Sequence, residues 1–232
     1  MSIASQLSLV RSTLPENVRF VAVSKTHPAE MIREAYAAGH RLFGESRPQE
    51  MREKYAALPK DIEWHMIGHL QTNKIKYIAP FVTLIQSVDS ARLAEAIQRE
   101  AAKCDRVIDI LLEIHVAREE TKSGWDIEEL KNYVGSAPFA RMPNLCVRGV
   151  MGIATNTEDG AVIRRDFREL KRCFDLLQPY FGPRFDTLSM GMSHDYGYAL
   201  ECGTTMVRIG SLIFGERDYA AETERAEAEA VE

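Results

Sequence analysis

Lys25 ends the run 18–25, VRFVAVSK, in which Val21, Val23 and Lys25 alternate with Phe20, Ala22 and Ser24. In an extended segment that alternation puts the two sets on opposite faces. If Val21 and Val23 face an apolar interior, Lys25 stands at its rim, partly withdrawn from water. Desolvation lowers a lysine pKa and exposes the neutral amine, which attacks aldehydes to form a Schiff base. A lysine that merely snorkels from a strand end is the plainer alternative.

Two other segments carry anion chemistry. Residues 189–193 read SMGMS and residues 208–211 read RIGS. Gly210 and Ser211 lead into the short apolar run 212–214, which Gly215 ends. A glycine before a helix N-terminus offers free backbone N–H groups to an anion. Ser189, Met190 and Gly191 open a loop of small residues that lets a ligand approach the backbone. The same glycines would equally serve tight turns. Arg208 shares a face with Gly210 and points inward if Val207 and Ile209 pack outward. An amine, a phosphate cradle and an arginine together suit a ligand with an aldehyde at one end and a phosphate at the other. Pyridoxal 5′-phosphate (PLP) is such a ligand. Its aldehyde would join Lys25, its phosphate would sit on Gly210 and Ser211, and Arg208 would approach the ring nitrogen.

For these segments to meet, the fold must bring strand ends together. Runs of β-type composition at 18–25, 41–46, 62–71, 81–88, 107–116, 145–153, 185–190 and 206–209 alternate with helical stripes. Behind Pro28, Met31, Ile32, Ala35 and Tyr36 recur at helical spacing until Gly39, and Phe167, Leu170, Phe174 and Leu177 repeat the pattern later. Pure alternation implies parallel strands with crossover helices. Eight such units in 232 residues predict a single (β/α)8 TIM barrel with an extra N-terminal helix. The helices after the third, seventh and eighth runs are weak. An open doubly wound sheet is the alternative, but the chain has no G-x-G-x-x-G turn after an early strand. Barrel sites open at the C-terminal strand ends, with phosphate held by the loops after strands seven and eight. Lys25, SMGMS and RIGS all fall there.

Composition narrows the partners. The 29 Lys+Arg against 34 Asp+Glu give a net charge of −5, without the basic face that nucleic acid demands. No apolar run approaches the ~20 residues that cross a bilayer, and residues 1–11 carry no secretory pattern. Cys104, Cys146, Cys173 and Cys202 include no C-x-x-C pair and read as inert thiols of a cytoplasmic protein. Glu222, Glu224, Glu227, Glu229 and Glu232 alternate with alanines. Residues 1–219 are therefore expected to form the PLP-binding barrel and residues 220–232 an acidic tail.

The ordered segments AVSKTHP, FGES, WHMIGHLQTNK, KSGW, RGVMGI, TLSMGMSHD and MVRIGSLIFGERDY span residues 22–219. In them the chain resembles the YggS/PROSC-type pyridoxal phosphate homeostasis proteins. The resemblance implies a barrel similar to the N-terminal domain of bacterial alanine racemase, with Lys25 holding PLP as an internal aldimine. It places Ser189, Gly210 and Ser211 at the phosphate, with Met190 adjacent, and Arg208 at the pyridine nitrogen. Where the family usually reads F-G-E-N this chain has Ser46, so a shorter hydroxyl replaces an amide near the ring. The positions of His69 and His194 also depart from the usual residues.

An arginine at the ring nitrogen disfavours the pyridinium form and weakens the electron sink that PLP catalysis needs. Alanine racemases, as the resemblance has it, carry an arginine there too, but add a second domain that supplies a tyrosine base from a partner subunit. The length of 232 residues leaves no room for that domain. The expectation is a monomeric PLP carrier or buffer in vitamin B6 homeostasis, without turnover of its own, that delivers PLP to apoenzymes. A PLP-dependent amino-acid racemase is the alternative. So is a barrel enzyme that acts on a phosphorylated metabolite through Lys25.

Other chemistry is set aside. His65 and His69, four apart on a strand, would be roughly 13 Å from one another, too far to share a metal readily. His65 is expected to hydrogen-bond near the mouth. His194 and Asp195 are expected to point apart, with Asp195 near a helix N-terminus. Glu119, Glu120 and Lys122 read as a solvated loop.

Overall fold

The computed structural model describes residues 2–119 and 123–216. Eight parallel strands close into a barrel in chain order. They are β1 (Arg19–Val23), β2 (Leu42–Glu45), β3 (Glu63–Met66), β4 (Leu84–Val88), β5 (Ile108–Glu113), β6 (Leu145–Met151), β7 (Thr187–Met192) and β8 (Met206–Ile209). The last pairs with the first, Val21 beside Arg208. Helices follow every strand but the third: α2 (Ala29–Ala37), α3 (Pro48–Ala57), α4 (Ala91–Lys103), α5 (Ile127–Gly135), α6 (Gly160–Phe181), α7 (Tyr196–Glu201) and α8 (Ser211–Phe214). After β3 there is a 3₁₀ turn, Thr72–Tyr77, and α7 and α8 are short. These are the three weak units of the sequence. This is the expected (β/α)8 barrel. The extra helix, α1 (Ile3–Thr13), buries Ile3, Leu7 and Val10 and packs on α2 and α8. The expected acidic tail, and the domain boundary at 219, lie outside the described residues.

The period of two sorts the strands. Val21, Leu42, Leu84, Leu111, Met151 and Met206, one from each of six strands, pack together inside the barrel. Their chain neighbours, such as Ala22, Phe43, Ile85, Ile110, Val150 and Val207, join the larger core under the helices. There Phe167, Leu170, Phe174 and Leu177 of α6 are buried as their spacing predicts, each side chain contributing roughly 1.5–3 kcal/mol. Local signals start the helices. Ser90 and Asp126 accept backbone N–H groups at the heads of α4 and α5, and Pro28 leads into α2.

Two strands are shorter than their composition suggests. The first ends at Val23, not Lys25, because the Ser24 carbonyl leaves the ladder to accept His27 N and Lys54 Nζ. The third stops at Met66, not at residue 71, and the remaining residues become the loop above the barrel. Three pairs also slip register: β4 with β5 between Ile85 and Val88, β5 with β6 between Ile110 and Leu111, and β7 with β8 between Ser189 and Met192. In each, one strand carries an extra residue, which re-aims the side chains beyond it.

Candidate functional site

The C-terminal strand ends form one mouth, and the predicted residues lie on β7 and β8 and in the segments that follow β1, β2 and β8. Lys25 lies half-buried in the turn after β1, with Val21 two turns of the pleat below it in the inner cluster. His27 of the same turn packs its ring on Phe214 of α8, centroids 5.3 Å apart. The turn that carries Lys25 and the helix that begins at Ser211 are therefore in contact. Ser46 is half-buried immediately after β2.

Arg208 points into the barrel, as the outward packing of Val207 and Ile209 requires. It is 4% exposed. Its Nη1 donates to Ser189 Oγ at 2.7 Å and Ser189 O at 3.0 Å, and its Nη2 to Gly152 O at 2.9 Å. Ser189 Oγ donates onward to Gln86 Oε1 at 2.6 Å, and Gln86 Nε2 donates to His65 Nδ1 at 2.9 Å. Donors thus run one way across the barrel, from β8 through β7 and β4 to β3. The His65 ring at the end accepts, which it does only as the neutral imidazole at that nitrogen. Burial lowers its pKa to about 3. Burial also lowers Arg208, to about 10, against the pull of Asp195 and Glu113, and the guanidinium stays cationic at neutral pH.

The expected phosphate residues lie at different depths. Ser189 is fully buried and its hydroxyl is engaged by Arg208 and Gln86, so it holds the arginine beneath the mouth. Met190 is fully buried in the outer core, so its side chain faces the helices. The loop serine that meets the cradle is Ser193, whose Oγ accepts Gly210 N at 3.2 Å. Ser211 is exposed at the first turn of α8, where N–H groups have no partner within the helix. Ser193 belongs to the SMGMS segment.

Sequence reasoning missed Glu113. It shares the inner face with Leu111, and its Oε2 is buried without a hydrogen-bond partner. Burial raises its pKa, with the Asp89 carboxylate adding to the effect and Ser123 opposing it. The available signal was an acid two residues beyond Leu111 at the end of a buried run. Gln86 was legible in the same way, as a polar residue within 81–88.

Other expectations are corrected. His194 and Asp195 do not point apart: Nε2 lies 3.5 Å from Oδ2, because Asp195 turns inward to accept Met192 N. Glu119 is not simply solvated, since Oε1 accepts Asn156 N at 2.8 Å and ties the loop after β5 to that after β6. Glu120 and Lys122 lie outside the described residues. His65 turns to Gln86 inside the barrel and His69 to Asp89 on the rim, 3.3 Å away. Among the described residues no three His, Cys, Asp or Glu side chains could hold a metal, and no helix is long and apolar enough to cross a membrane. Burial raises the thiols of Cys146, Cys173 and Cys202, that of Cys173 to about 12.

The family model for the alanine racemase N-terminal domain matches residues 1–218. The pyridoxal phosphate homeostasis protein of Aquifex aeolicus is 46% identical over 202 residues, 87% of this chain and 88% of that protein. Its Escherichia coli counterpart is 36% identical over 210 residues, covering 89% and 88%. PipY of Synechococcus elongatus, solved with PLP bound, is 37% identical with a TM-score of 0.83, covering 92% of this chain and 100% of PipY. Alanine racemase from E. faecalis shares the fold, with a TM-score of 0.74 at 15% identity over 93% of this chain and 58% of that enzyme.

Proposed function

We propose, for a chain that belongs to the pyridoxal phosphate homeostasis proteins and to the alanine racemase N-terminal domain family, that it holds PLP reversibly and buffers or delivers it. The residues at the mouth suit the ligand. Gly210, Ser211 and Ser193 supply donors for a phosphate, and Ser46 reaches toward the ring. Met190 contributes only main chain to that loop, and Ser189 acts by holding Arg208. Lys25 would hold the ligand through its amine, which condenses reversibly with an aldehyde with loss of water. Because that bond is hydrolysable, the ligand would be free to pass to an apoenzyme.

The observation that carries the reading is the buried Arg208, cationic and hydrogen-bonded to the neutral oxygens of Ser189 and Gly152. A fixed cation facing the ring nitrogen opposes its protonation, and an unprotonated ring is a poor electron sink. That weakens the sink without abolishing it, since racemases carry an arginine there too, and the holding reading is supported as well by the 46% identical homeostasis protein. We assign this role to a monomer in the cytoplasm. The test is borohydride reduction of PLP-loaded protein followed by peptide mass mapping. A pyridoxyl group on Lys25, lost with its visible absorbance in Lys25→Ala, is expected, as is transfer of PLP to an added apoenzyme. Sustained racemisation of any L-amino acid overturns the carrier reading.

A further inference from the structure

Behind the Lys25 turn, on the outer side of the barrel wall, lies a cluster of charges that the site above does not use. Ser24 follows Ala22, and Glu45 follows Phe43, on the face that packs under the helices. Glu45 is fully buried and Lys54 of α3 is 6% exposed. Lys54 Nζ donates to Glu45 Oε1 at 2.8 Å, to Glu50 Oε1 at 2.7 Å and to the Ser24 carbonyl at 2.8 Å. Ser24 Oγ donates to Glu45 Oε1 at 2.6 Å, and Glu50 Oε1 accepts Thr26 N at 2.7 Å. The cluster thus grips the residues on both sides of Lys25.

The turn needs gripping. Thr26 has φ +69°, a left-handed conformation that a β-branched residue strongly disfavours. Its Oγ1 is also buried without a hydrogen-bond partner. Left to local preference, residue 26 would return to an extended or right-handed conformation and swing Lys25. Burying two carboxylates and an ammonium is a costly way to stabilise a fold, since apolar packing at such sites usually does as well. Here every member of the cluster ends on the turn or on a group that does.

We infer that Glu45, Lys54 and Glu50 are positioning residues for Lys25, holding the Ser24–Thr26 backbone so that the amine meets the aldehyde of PLP. The inference rests on the PLP reading above. It predicts that damage to the cluster weakens the bond to the aldehyde and spares the phosphate cradle across the mouth. Glu50 is the member to change, because Lys54 and Glu45 remain paired without it.

The experiment measures binding of PLP and of pyridoxine 5′-phosphate, which has the ring and phosphate but no aldehyde. Glu50→Ala should bind PLP about tenfold more weakly, the value of one lost charge-assisted hydrogen bond. Its affinity for pyridoxine 5′-phosphate should be unchanged, and borohydride should still label Lys25, more slowly. Glu50→Gln, which keeps an acceptor for Thr26 N, should lie within about threefold of the wild type for PLP. Equal losses for both ligands would mean a merely structural role and overturn the inference, as would no loss for either. Wild-type protein that binds both ligands equally and leaves Lys25 unlabelled would overturn the PLP reading itself.

Discussion

Two serines four positions apart sit in different surroundings. Ser189 is inside the barrel wall, between Arg208 and Gln86, and Ser193 is in the loop against Gly210 N. Ser189→Ala leaves Gln86 Oε1 and one guanidinium N–H without this partner in a dry interior. It should cost about 1–3 kcal/mol in chemical denaturation. Ser193→Ala faces solvent-accessible loop and should leave stability nearly unchanged while weakening PLP and inorganic phosphate by up to about tenfold. The reverse pattern would return the phosphate role to Ser189. The family resemblance points to Ser189, and the segment SMGMS by itself does not show which serine faces the mouth, because that depends on a register slip between β7 and β8.

At the scale of elements, the three slips re-aim side chains along β4, β6 and β7. The clearest is in β6, where Arg148 is the extra residue between Val147 and Gly149 opposite β5. Gly149 has φ +154°, and a Cβ there would come within 1.7 Å of the Thr187 carbonyl oxygen on β7. No side chain can yield, since the obstacle is the neighbouring backbone. Gly149→Ala should therefore destabilise the barrel by more than about 3 kcal/mol, or abolish soluble protein, by thermal unfolding. Arg148 itself is freed by the bulge to bridge Asp109 at 2.8 Å and Asp186 at 2.8 Å across three strands. The alternation within 145–153 marks a strand but not the bulge in it. An extra residue is visible only against the strand beside it.

For the whole molecule, buried titrating groups set the dependence of stability on pH. His65 is lowered to about 3 by burial, and His40 to about 4 by burial together with Arg11 and Arg41, against its bond to the Leu42 carbonyl. Between the ordinary histidine value of 6.5 and those values the unfolded chain binds more protons. Stability from the two rings is full above about pH 6.5 and falls on acidification by up to about 1.4 kcal/mol per pH unit for each. Glu45 runs the other way. Burial raises it to about 7 despite Lys54, so its contribution is full below about pH 4.5 and is lost as pH rises through 7. Two rings against one carboxyl give net loss toward acid. Denaturant titrations at pH 7.5 and 5.0 should show it, and His65→Gln, which can still meet Gln86, should shrink the difference. An unchanged difference would remove His65 from the acid response.

The sequence by itself determined the fold class and the strand order, and suggested the ligand chemistry at the mouth. Periodicity of two and of 3.6 is local, and a barrel has one way to place strand ends. Lys25, Arg208, Gly210 and Ser211 could be proposed from the sequence because each lies at or just beyond the end of a strand. What only the tertiary structure decided depends on residues distant in the chain. Ser189 lies against Arg208 and Ser193 against Gly210 because a strand slipped against its neighbour. Glu113 emerged as a buried acid because β5 ends inside the wall. The Lys25 turn proved strained, and held from behind by Glu45, Glu50 and Lys54, because burial and pairing are properties of the closed barrel and of no segment in it.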